Sequence, residues 1–316
     1  MKTAMIIGVS GQDGAYLARF LLEKGYRVIG TSRDHEVNPF ANLDRLGIRD
    51  CVSLASVDTS DFRSVITALS NHSPEEIYNL AGQTSVGMSF QYPVETFNSI
   101  LIGTMNLLEC IRILGYPARF YQAGSGEVYG NTIQPADEST PFRPLSPYGT
   151  AKAAASYAVA NYRQAYGMFC CSGVLFNHES PLRPARFVTK KIVDAAKRIA
   201  DGSGETLKLG NIDIARDWGW APDYVEAMWL MLNHQTPDDF IISTGRKHTL
   251  RDFLCLSFET VGLDWRDHVV SDASLLRPLD IEESLGNPQK AKEMLGWNQR
   301  VNFEGMVRKL VANELF

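Results

Sequence analysis

The first half of the chain alternates between apolar runs of strand length and segments with helical spacing, and this alternation is the strongest constraint on the fold. Residues 3–9 form an apolar run that leads through a glycine-rich turn into helical spacing over residues 15–24. The pattern continues with predicted strands and helices at residues 26–31, 51–55, 60–71, 76–79, 93–114 and 119–123. Such a repeat predicts an α/β protein with a doubly wound parallel sheet and helices on both faces.

A glycine-rich loop joins the first predicted strand to the first helix. Gly8, Gly11 and Gly14 are spaced as Gly-x-x-Gly-x-x-Gly, with Gln12 and Asp13 between the last two. Backbone without Cβ atoms lets a pyrophosphate approach the amides at a helix N-terminus, so the loop predicts dinucleotide binding by a Rossmann-type domain. Glycines also serve ordinary tight turns, but the strand–helix units that follow weaken that alternative.

The end of the second predicted strand indicates which dinucleotide is bound. It ends at Ser32-Arg33 rather than at the acidic residue that would hold a ribose 2′-hydroxyl. A cation and a hydroxyl suit a 2′-phosphate, so we expect NADP rather than NAD, although Arg33 also fits a solvated surface position beside Asp34. Asp58, after the third strand, is expected either to contact the adenine or to cap the next helix. Backbone against the cofactor is predicted after the fourth strand, at Leu80, Ala81 and Gly82.

The second half of the chain is less regular. Strands are predicted at residues 169–175 and 205–209, and helices at 187–200, 221–232 and 250–261. No internal repeat or low-complexity linker is present. We expect residues 1–176 to form mainly the dinucleotide-binding domain, and residues 177–316 to form mainly a smaller substrate-binding part interleaved with the sheet.

Composition excludes several classes of protein. The net charge is −5, with no block of like charge, so a nucleic-acid footprint is absent. The N-terminal apolar run is too short for a secretory signal, and we expect no apolar run near the roughly 20 residues that span a membrane. Five cysteines without metal-ligand spacing predict a reduced, cytoplasmic protein without a metal site: Cys51, Cys110, Cys170, Cys171 and Cys255.

The strongest candidates for chemistry follow the fifth predicted strand. Ser125 and Glu127 lie in a glycine-flanked loop, and open α/β sheets place their active sites at the carboxyl ends of strands. Tyr148 and Lys152 are four residues apart in a helical pattern from 146 to 163, so they share one face. We expect the lysine cation to lower the pKa of the tyrosine. The alternative for Glu127 is a solvated loop side chain.

These residues, in this order after the glycine loop, resemble the extended short-chain dehydrogenase/reductase family of nucleotide-sugar enzymes, and most of all its GDP-mannose 4,6-dehydratases. The Asn-His-Glu-Ser-Pro run at 177–181 is the most specific part of the likeness, whereas Tyr-x-x-x-Lys alone would indicate only the superfamily. The resemblance covers nearly the whole chain and is carried by residues 11–17, 146–148 with Lys152, 175–181, 216–219 and 285–288.

The resemblance implies an enzyme whose NADP is reduced and reoxidised in each turnover. Tyr148, helped by Lys152, would take the hydroxyl proton at carbon 4 of the hexose while hydride leaves, and Ser125 would hydrogen-bond the same hydroxyl. Glu127 would remove the proton on carbon 5, water would leave carbon 6, and hydride would return there. A reductase or a 4-epimerase of the same fold needs no such base. Both remain alternatives, as do a dehydratase of another GDP-sugar such as a heptose and a non-catalytic NADP-binding protein.

The resemblance also assigns the end of the site that would bind the nucleotide. Asn177 and Lys191 are expected near the diphosphate, and Arg216 and Arg277 are expected to hold phosphate oxygens, which suits bidentate guanidinium groups. Asp280 is expected near the ribose.

The same polar residues also have structural alternatives. Arg216 fits a salt bridge with Asp217, and His178 and Glu179 fit a buried polar network, so His178 is taken as structural.

Two departures from the family pattern affect the expected chemistry and assembly. Gly126 replaces a serine, so protonation of the leaving hydroxyl would fall to Glu127 or to water. The segment 33–38 is short and mixed in charge, where relatives have two adjacent arginines and a longer insertion that supports tetramers. We therefore expect a homodimer, formed through the helices at 93–114 and 146–163.

Overall fold

A computed structural model describes all residues from 1 to 316. Its strands are β1 Thr3–Ile7, β2 Arg27–Ser32, β3 Ser53–Ser56, β4 Glu76–Asn79, β5 Arg119–Ala123, β6 Cys170–Leu175, β7 Asn177–Glu179, β8 Leu207–Leu209, β9 Ala215–Trp220, β10 Phe240–Ile242, β11 Lys247–Thr249, β12 Val269–Ser271 and β13 Glu283–Ser284. Its α-helices are α1 Gln12–Glu23, α2 Ala41–Arg45, α3 Phe62–His72, α4 Val86–Gln91, α5 Pro93–Phe97, α6 Gly103–Leu114, α7 Pro147–Tyr166, α8 Val188–Ala200, α9 Ala221–Leu232, α10 Leu250–Thr260, α11 Gln289–Leu295 and α12 Phe303–Ala312.

The central sheet has seven strands in the order β10-β6-β5-β4-β1-β2-β3, and every neighbouring pair is parallel. The predicted α/β class with a doubly wound parallel sheet is therefore confirmed. The chain reverses its direction of winding between β1 and β4, and such a switch point leaves a crevice at the carboxyl ends of the strands.

Two apolar cores lie on opposite faces of this sheet. Successive residues of β1 contribute to them in turn, because strand side chains alternate between faces. Ala4 and Ile6 pack in the core beneath α1 and α9, whereas Met5 and Ile7 pack in the core beneath α3 and α6. Burial on both faces explains why β1 reads as a continuous apolar run.

A third core belongs to the second half of the chain. It is built from α8, α10 and α12 around Trp218 and Trp220 of β9. Strand β9 pairs with β7, β11 and β13, so this part has its own small sheet. β10 and α9 return to the main sheet and pack on β6 and α1. The domain boundary expected at residue 176 stays a prediction.

One continuous helix over Pro93–Leu114 consists of α5, a π-helical turn at Asn98–Ile102, and α6. By length and composition alone it is able to cross a membrane, with a mean hydropathy of 1.3, so the expectation that no apolar run reaches this length is wrong. The helix packs against α3 and α7 in the layer that covers the sheet, and 39% of its most apolar stretch is buried there. Such a single helix is weak evidence for a membrane span.

Candidate active site

A cleft of about 1200 Å³ opens at the carboxyl ends of the central strands. Its walls are the glycine loop, the ends of β2, β3 and β4, and the segment that precedes α8. All predicted cofactor-binding residues except Tyr148 and Lys152 line it: Gly8, Gly11, Gln12, Asp13, Gly14, Arg33, Asp58, Leu80, Ala81 and Gly82.

The glycine loop is built for close approach of backbone. Gly8 has a φ of 89°, a left-handed conformation that favours glycine. A Cβ at Gly14 would lie 2.4 Å from the carbonyl oxygen of Gly8, so the helix packs directly against the loop. Helix α1 begins at Gln12, three residues before the predicted start, with Gly11 as its N-cap. The amides of this first turn therefore lie beside the cleft, which is the geometry that binds pyrophosphate at a helix N-terminus.

The end of β2 places unused polar groups in the same cleft. The hydroxyls of Thr31 and Ser32 are buried and have no hydrogen-bond partner. Arg33 is exposed and forms no ion pair. Buried hydroxyls in proteins are usually satisfied, so these two fit a polar group of a bound molecule.

Asp58 does not cap helix α3. The cap is Asp61, whose carboxylate accepts from the amide of Arg63 at 2.9 Å. Asp58 accepts from the amide and hydroxyl of Ser60 at 2.9 and 2.6 Å. These bonds, with a smaller effect of Arg33, lower the pKa of Asp58. The capping alternative for Asp58 is wrong, and its carboxylate remains at the wall of the cleft.

Part of the opposite wall was not expected from the sequence. Arg183, Arg186 and Phe187 line it, and the guanidinium of Arg183 lies 3.9 Å from the ring centroid of Phe187. Arg183 follows the Asn-His-Glu-Ser-Pro run by two residues, which is the only signal that would have singled it out. Further polar residues of the cleft were also missed: Thr84, Asn98 and Ser99.

The loop after β5 and the first turn of α7 are packed together. Gly126–Tyr129 form a 3₁₀ turn, and the Ser125 hydroxyl accepts from the amide of Glu127 at 3.3 Å. The hydroxyl of Ser146 caps α7 by accepting from the amide of Gly149 at 3.0 Å. A Cβ at Gly149 would lie 2.8 Å from the carbonyl oxygen of Glu127, so only glycine allows this contact.

This packing brings together Tyr148, Ser125 and Lys152, although the expected effect on the tyrosine is wrong. Burial raises the pKa of Tyr148 to about 12; a hydrogen bond with Ser125 works in the opposite direction. Burial lowers the pKa of Lys152 to about 8. The Lys152 ammonium donates to the carbonyl of Ala123 at 2.7 Å, and its Nζ lies 5.8 Å from the centroid of the Tyr148 ring. Desolvation of the buried phenol therefore outweighs the attraction expected from the lysine.

Glu127 lies within a cluster of charges drawn from distant segments. Burial raises the pKa of its carboxyl, Arg216 and Arg277 oppose that rise, and Asp280 adds to it. One oxygen of Asp280 accepts from Arg216 Nη2 at 3.1 Å and from Arg277 Nη1 at 3.0 Å. The structure thus gathers the predicted base and both predicted phosphate-binding arginines.

Arg216 forms no salt bridge with Asp217, so that alternative is wrong. Asp217 is fully buried and accepts from the amide and hydroxyl of Thr244 at 2.8 and 2.7 Å, and from the amide of Gly245 at 2.9 Å. Burial nevertheless raises the pKa of Asp217 to about 6. Adjacent residues of β9 therefore point to opposite faces, as strand geometry requires.

Asn177 and Lys191 lie outside the lining of the large cleft. Asn177 begins β7 and is partly buried. Lys191, on α8, donates to the backbone carbonyl of Lys208 at 2.8 Å and contributes to lowering the pKa of Asp272. Lys191 thus lies near the segment that carries Arg277, and its role stays a prediction.

The Asn-His-Glu-Ser-Pro run forms a buried polar network with the glycine loop. His178 Nε2 lies 2.9 Å from the carboxylate of Asp13, and the Ser180 hydroxyl donates to Gln12 at 2.8 Å. The carboxylate of Glu179 accepts from the hydroxyl of Thr189 at 2.7 Å. The cofactor loop and the segment that would bind the sugar nucleotide are therefore joined by direct contacts.

The departure at Gly126 has a local cause. A Cβ at this position would lie 3.1 Å from three ring atoms of Phe176, which is tighter than ordinary van der Waals contact. Phe176 is itself fully buried and stacks on Tyr129. A side chain at residue 126 would need the ring to move.

The chain is similar to known proteins along nearly its whole length. A family model described as GDP-mannose 4,6 dehydratase matches residues 5–310. GDP-mannose 4,6 dehydratase 1 of Arabidopsis thaliana is 44% identical over 324 residues, which cover 99% of this chain and 90% of that protein. GDP-mannose 4,6-dehydratase of Yersinia enterocolitica is 40% identical over 350 residues, covering 100% of this chain and 94% of that protein. The crystal structure of UDP-glucose 4-epimerase from Thermus thermophilus in complex with NAD is 28% identical, with a TM-score of 0.86 over 98% of each chain.

Proposed function

Because this chain belongs to the GDP-mannose 4,6-dehydratase family, we propose that it is a hydro-lyase that converts GDP-mannose to GDP-4-keto-6-deoxymannose. The observation that carries the proposal is the position of Glu127. Its carboxyl has a raised pKa and lies beside Tyr148 and the two arginines. A dehydratase needs a base at this place, whereas a reductase or a 4-epimerase does not.

The cofactor of the proposed reaction is a nicotinamide dinucleotide, and we infer that it is NADP. The glycine loop fits a pyrophosphate, and the structural relative from Thermus thermophilus holds NAD. The unpartnered hydroxyl of Ser32 and the unpaired guanidinium of Arg33 support a 2′-phosphate at the ribose. When bound, the cofactor would supply a hydride acceptor for carbon 4 of the hexose and a hydride donor for carbon 6.

Tyr148 and Ser125 act at carbon 4 in this proposal. Tyr148 takes the proton of the 4-hydroxyl as hydride leaves carbon 4 and gives it to carbon 5 once hydride has been added to carbon 6, and the serine hydroxyl hydrogen-bonds the oxygen on carbon 4. Lys152 is fixed by its bond to the Ala123 carbonyl on the same face of α7. Its ammonium supplies the positive charge that favours the phenolate during proton transfer.

Glu127 acts at carbons 5 and 6. A ketone at carbon 4 acidifies the proton on carbon 5, and the Glu127 carboxylate removes it. Since Gly126 has no side chain, Glu127 then carries this proton to the hydroxyl that leaves carbon 6. A raised pKa suits a group that must first accept and then donate a proton near neutral pH.

Four further side chains are proposed to hold the sugar nucleotide. Arg216 and Arg277 bind the diphosphate, because their guanidinium groups already converge on one oxygen of a carboxylate. Asn177 and Lys191 approach the same diphosphate from β7 and α8.

We also propose that the protein is a homodimer. The helix over Pro93–Leu114 and α7 lie side by side, and several large apolar side chains on them are exposed to solvent. Ile113 is 53% exposed and Tyr157 is 61% exposed, and burial of such apolar side chains against a second copy would stabilise a dimer. Sedimentation at micromolar concentration tests this assembly, and a monomer would contradict it.

Incubation of the purified protein with GDP-mannose and a catalytic amount of NADP tests the reaction. We expect a product lighter by one water, without net accumulation of reduced cofactor, detected by mass spectrometry. Stoichiometric consumption of NADPH would indicate a reductase, and an isomer of unchanged mass would indicate an epimerase. UDP-glucose serves as the matched control, and it should remain unchanged.

A further inference from the structure

Asp280 holds the two arginines that are proposed to bind the substrate's diphosphate. A single carboxylate oxygen accepts from Arg216 and from Arg277, at 3.1 and 3.0 Å. Arg216 is only 4% exposed, and its other terminal nitrogen donates to the carbonyl of Ala215. Its guanidinium is therefore fixed by the backbone even without the carboxylate. Arg277 is more exposed and is held in the site by Asp280 alone.

We propose that Asp280 is an internal counter-ion that occupies the diphosphate-binding arginines in the free protein and is displaced when the sugar nucleotide binds. The inference rests on the proposed function, because it concerns the same site. A carboxylate and a phosphate present similar acceptor oxygens to a guanidinium, so each satisfies the same donors. A diphosphate carries more negative charge and more acceptor oxygens than one carboxylate, and it therefore replaces Asp280 as the partner of the arginines.

The exchange also changes the electrostatic surroundings of Glu127. The charged or titratable groups that affect it are Arg216 from β9, Arg277 and Asp280 from the segment before β13, and Tyr148 from α7. In the free protein a single carboxylate, that of Asp280, pairs with the two cations. A bound diphosphate brings additional negative charge to the same arginines, so the proton affinity of Glu127 increases. The base is therefore strongest when the substrate is in place.

Variants that remove the charge of Asp280 distinguish a counter-ion of the arginines from a residue that only stabilises the fold. The Asp280 side chain is 27% exposed and that of Arg277 is 35% exposed, so their ion pair is expected to contribute little to folding. Asp280→Asn keeps the size of the side chain and removes the competing charge. Asp280→Glu keeps the charge and is the matched control.

Calorimetric titration with GDP, and in parallel with inorganic pyrophosphate, gives the first readout. We expect Asp280→Asn to bind both ligands about two- to fivefold more tightly than the wild type, the size of a released exposed ion pair. Asp280→Glu should bind as the wild type does, and Asp280→Asn should have a lower melting temperature because the buried Arg216 loses its carboxylate partner. Unchanged or weaker binding by Asp280→Asn would overturn the proposal.

The pH dependence of kcat/KM for GDP-mannose gives the second readout. Asp280→Asn should move the acid limb to lower pH, since a negative charge beside Glu127 has been removed. A structural role would lower activity without moving the limb, and that result would also overturn the proposal. A wild type that binds pyrophosphate but not GDP would contradict the proposed function alone. The comparison of variants with pyrophosphate would then decide the role of Asp280.

Discussion

The imidazole of His178 and the carboxylate of Asp13 form an ion pair of 2.9 Å that joins the glycine loop to the start of β7. The second ring nitrogen, Nδ1, lies 2.7 Å from the carbonyl oxygen of Phe176. Both ring nitrogens therefore face acceptors, and the imidazolium satisfies both as a double donor. The pKa of His178 is raised despite its burial, chiefly by Asp13, and the pKa of Asp13 is lowered chiefly by His178.

Because of this ion pair, we expect the free energy of unfolding to decline at both high and low pH. His178 has a raised pKa in the folded state, so its contribution is complete below 6.5 and is lost as pH rises through the folded value. Asp13 has a lowered pKa, so its contribution is present above 3.8 and is lost as pH falls through the folded value. Asp13→Asn should lower the free energy of unfolding near pH 6 by about 2 kcal/mol and remove the alkaline decline.

Urea unfolding at a series of pH values measures both effects. Asp58→Asn is the control, because Asp58 lies in the same cleft but has no histidine partner, and it should keep the alkaline decline. An Asp13→Asn profile parallel to that of the wild type would contradict the charged state assigned to His178.

Glu127→Gln should lower kcat by about 100-fold or more, the usual effect of removing a general base. GDP-mannose binding should change by only a few-fold, and bound cofactor should accumulate in its reduced form, visible by absorbance. In the wild type, the acid limb of kcat/KM should lie above the ordinary glutamate pKa of 4.5, because burial raises the pKa of Glu127. Glu138→Gln is the control. Burial also raises the pKa of the Glu138 carboxyl, but this group accepts a hydrogen bond from the amide of Ile241. The variant should therefore keep its activity.

Lys152→Met should abolish most activity while stabilising the fold. Burial lowers the pKa of Lys152 from 10.5 to about 8, so the folded protein loses this proton at a lower pH than the unfolded chain does. The free energy of unfolding therefore increases as pH rises between these two pKa values. At pH 7 the buried ammonium lowers the free energy of unfolding by about 3 kcal/mol. Chemical denaturation at pH 7 should show a gain up to that size in the variant. A clear loss of stability would mean that the bond to Ala123 outweighs desolvation.

Gly126→Ser should destabilise the protein, although the resemblance to the family implies a serine at this position. The new Cβ would press on the ring of Phe176 at 3.1 Å, and overpacking of this kind typically costs about 1–3 kcal/mol. The double variant Gly126→Ser with Phe176→Leu should recover part of the loss, which thermal unfolding measures. Equal stability of the single variant and the wild type would show that the ring moves freely.

Arg33→Ala should weaken NADP binding by about 10- to 100-fold and leave NAD binding nearly unchanged, because one charged hydrogen bond to a 2′-phosphate is lost. Fluorescence titration with both dinucleotides measures the ratio. Arg63→Ala, on an exposed residue outside the large cleft, is the control. Equal weakening for both dinucleotides would argue against a 2′-phosphate at this position.

Features set by local spacing were predictable from the sequence. The glycine loop, the strand that ends at Ala123 and the Tyr148–Lys152 pair all lie where their patterns indicated. Those patterns depend on neighbours within a few residues, which a linear reading captures.

Features set by distant partners were not predictable in the same way. Strand β9, which contains Arg216 and Asp217, was not predicted, because the partners of these two side chains, Asp280 and Thr244, are distant in the sequence. The pKa of Tyr148 depends on burial by the whole fold, and reasoning from Lys152 alone therefore predicted the wrong direction.

The return of β10 to the central sheet has a consequence for synthesis of the protein. β10 has only three residues, yet it forms the outer partner of β6. A nascent chain that has emerged only as far as residue 176 exposes β6 as a bare edge, and unpaired edges of apolar strands promote aggregation. The sheet is complete only after residue 242 has left the ribosome. Premature termination within this interval should therefore yield insoluble fragments rather than an independently folded cofactor-binding domain.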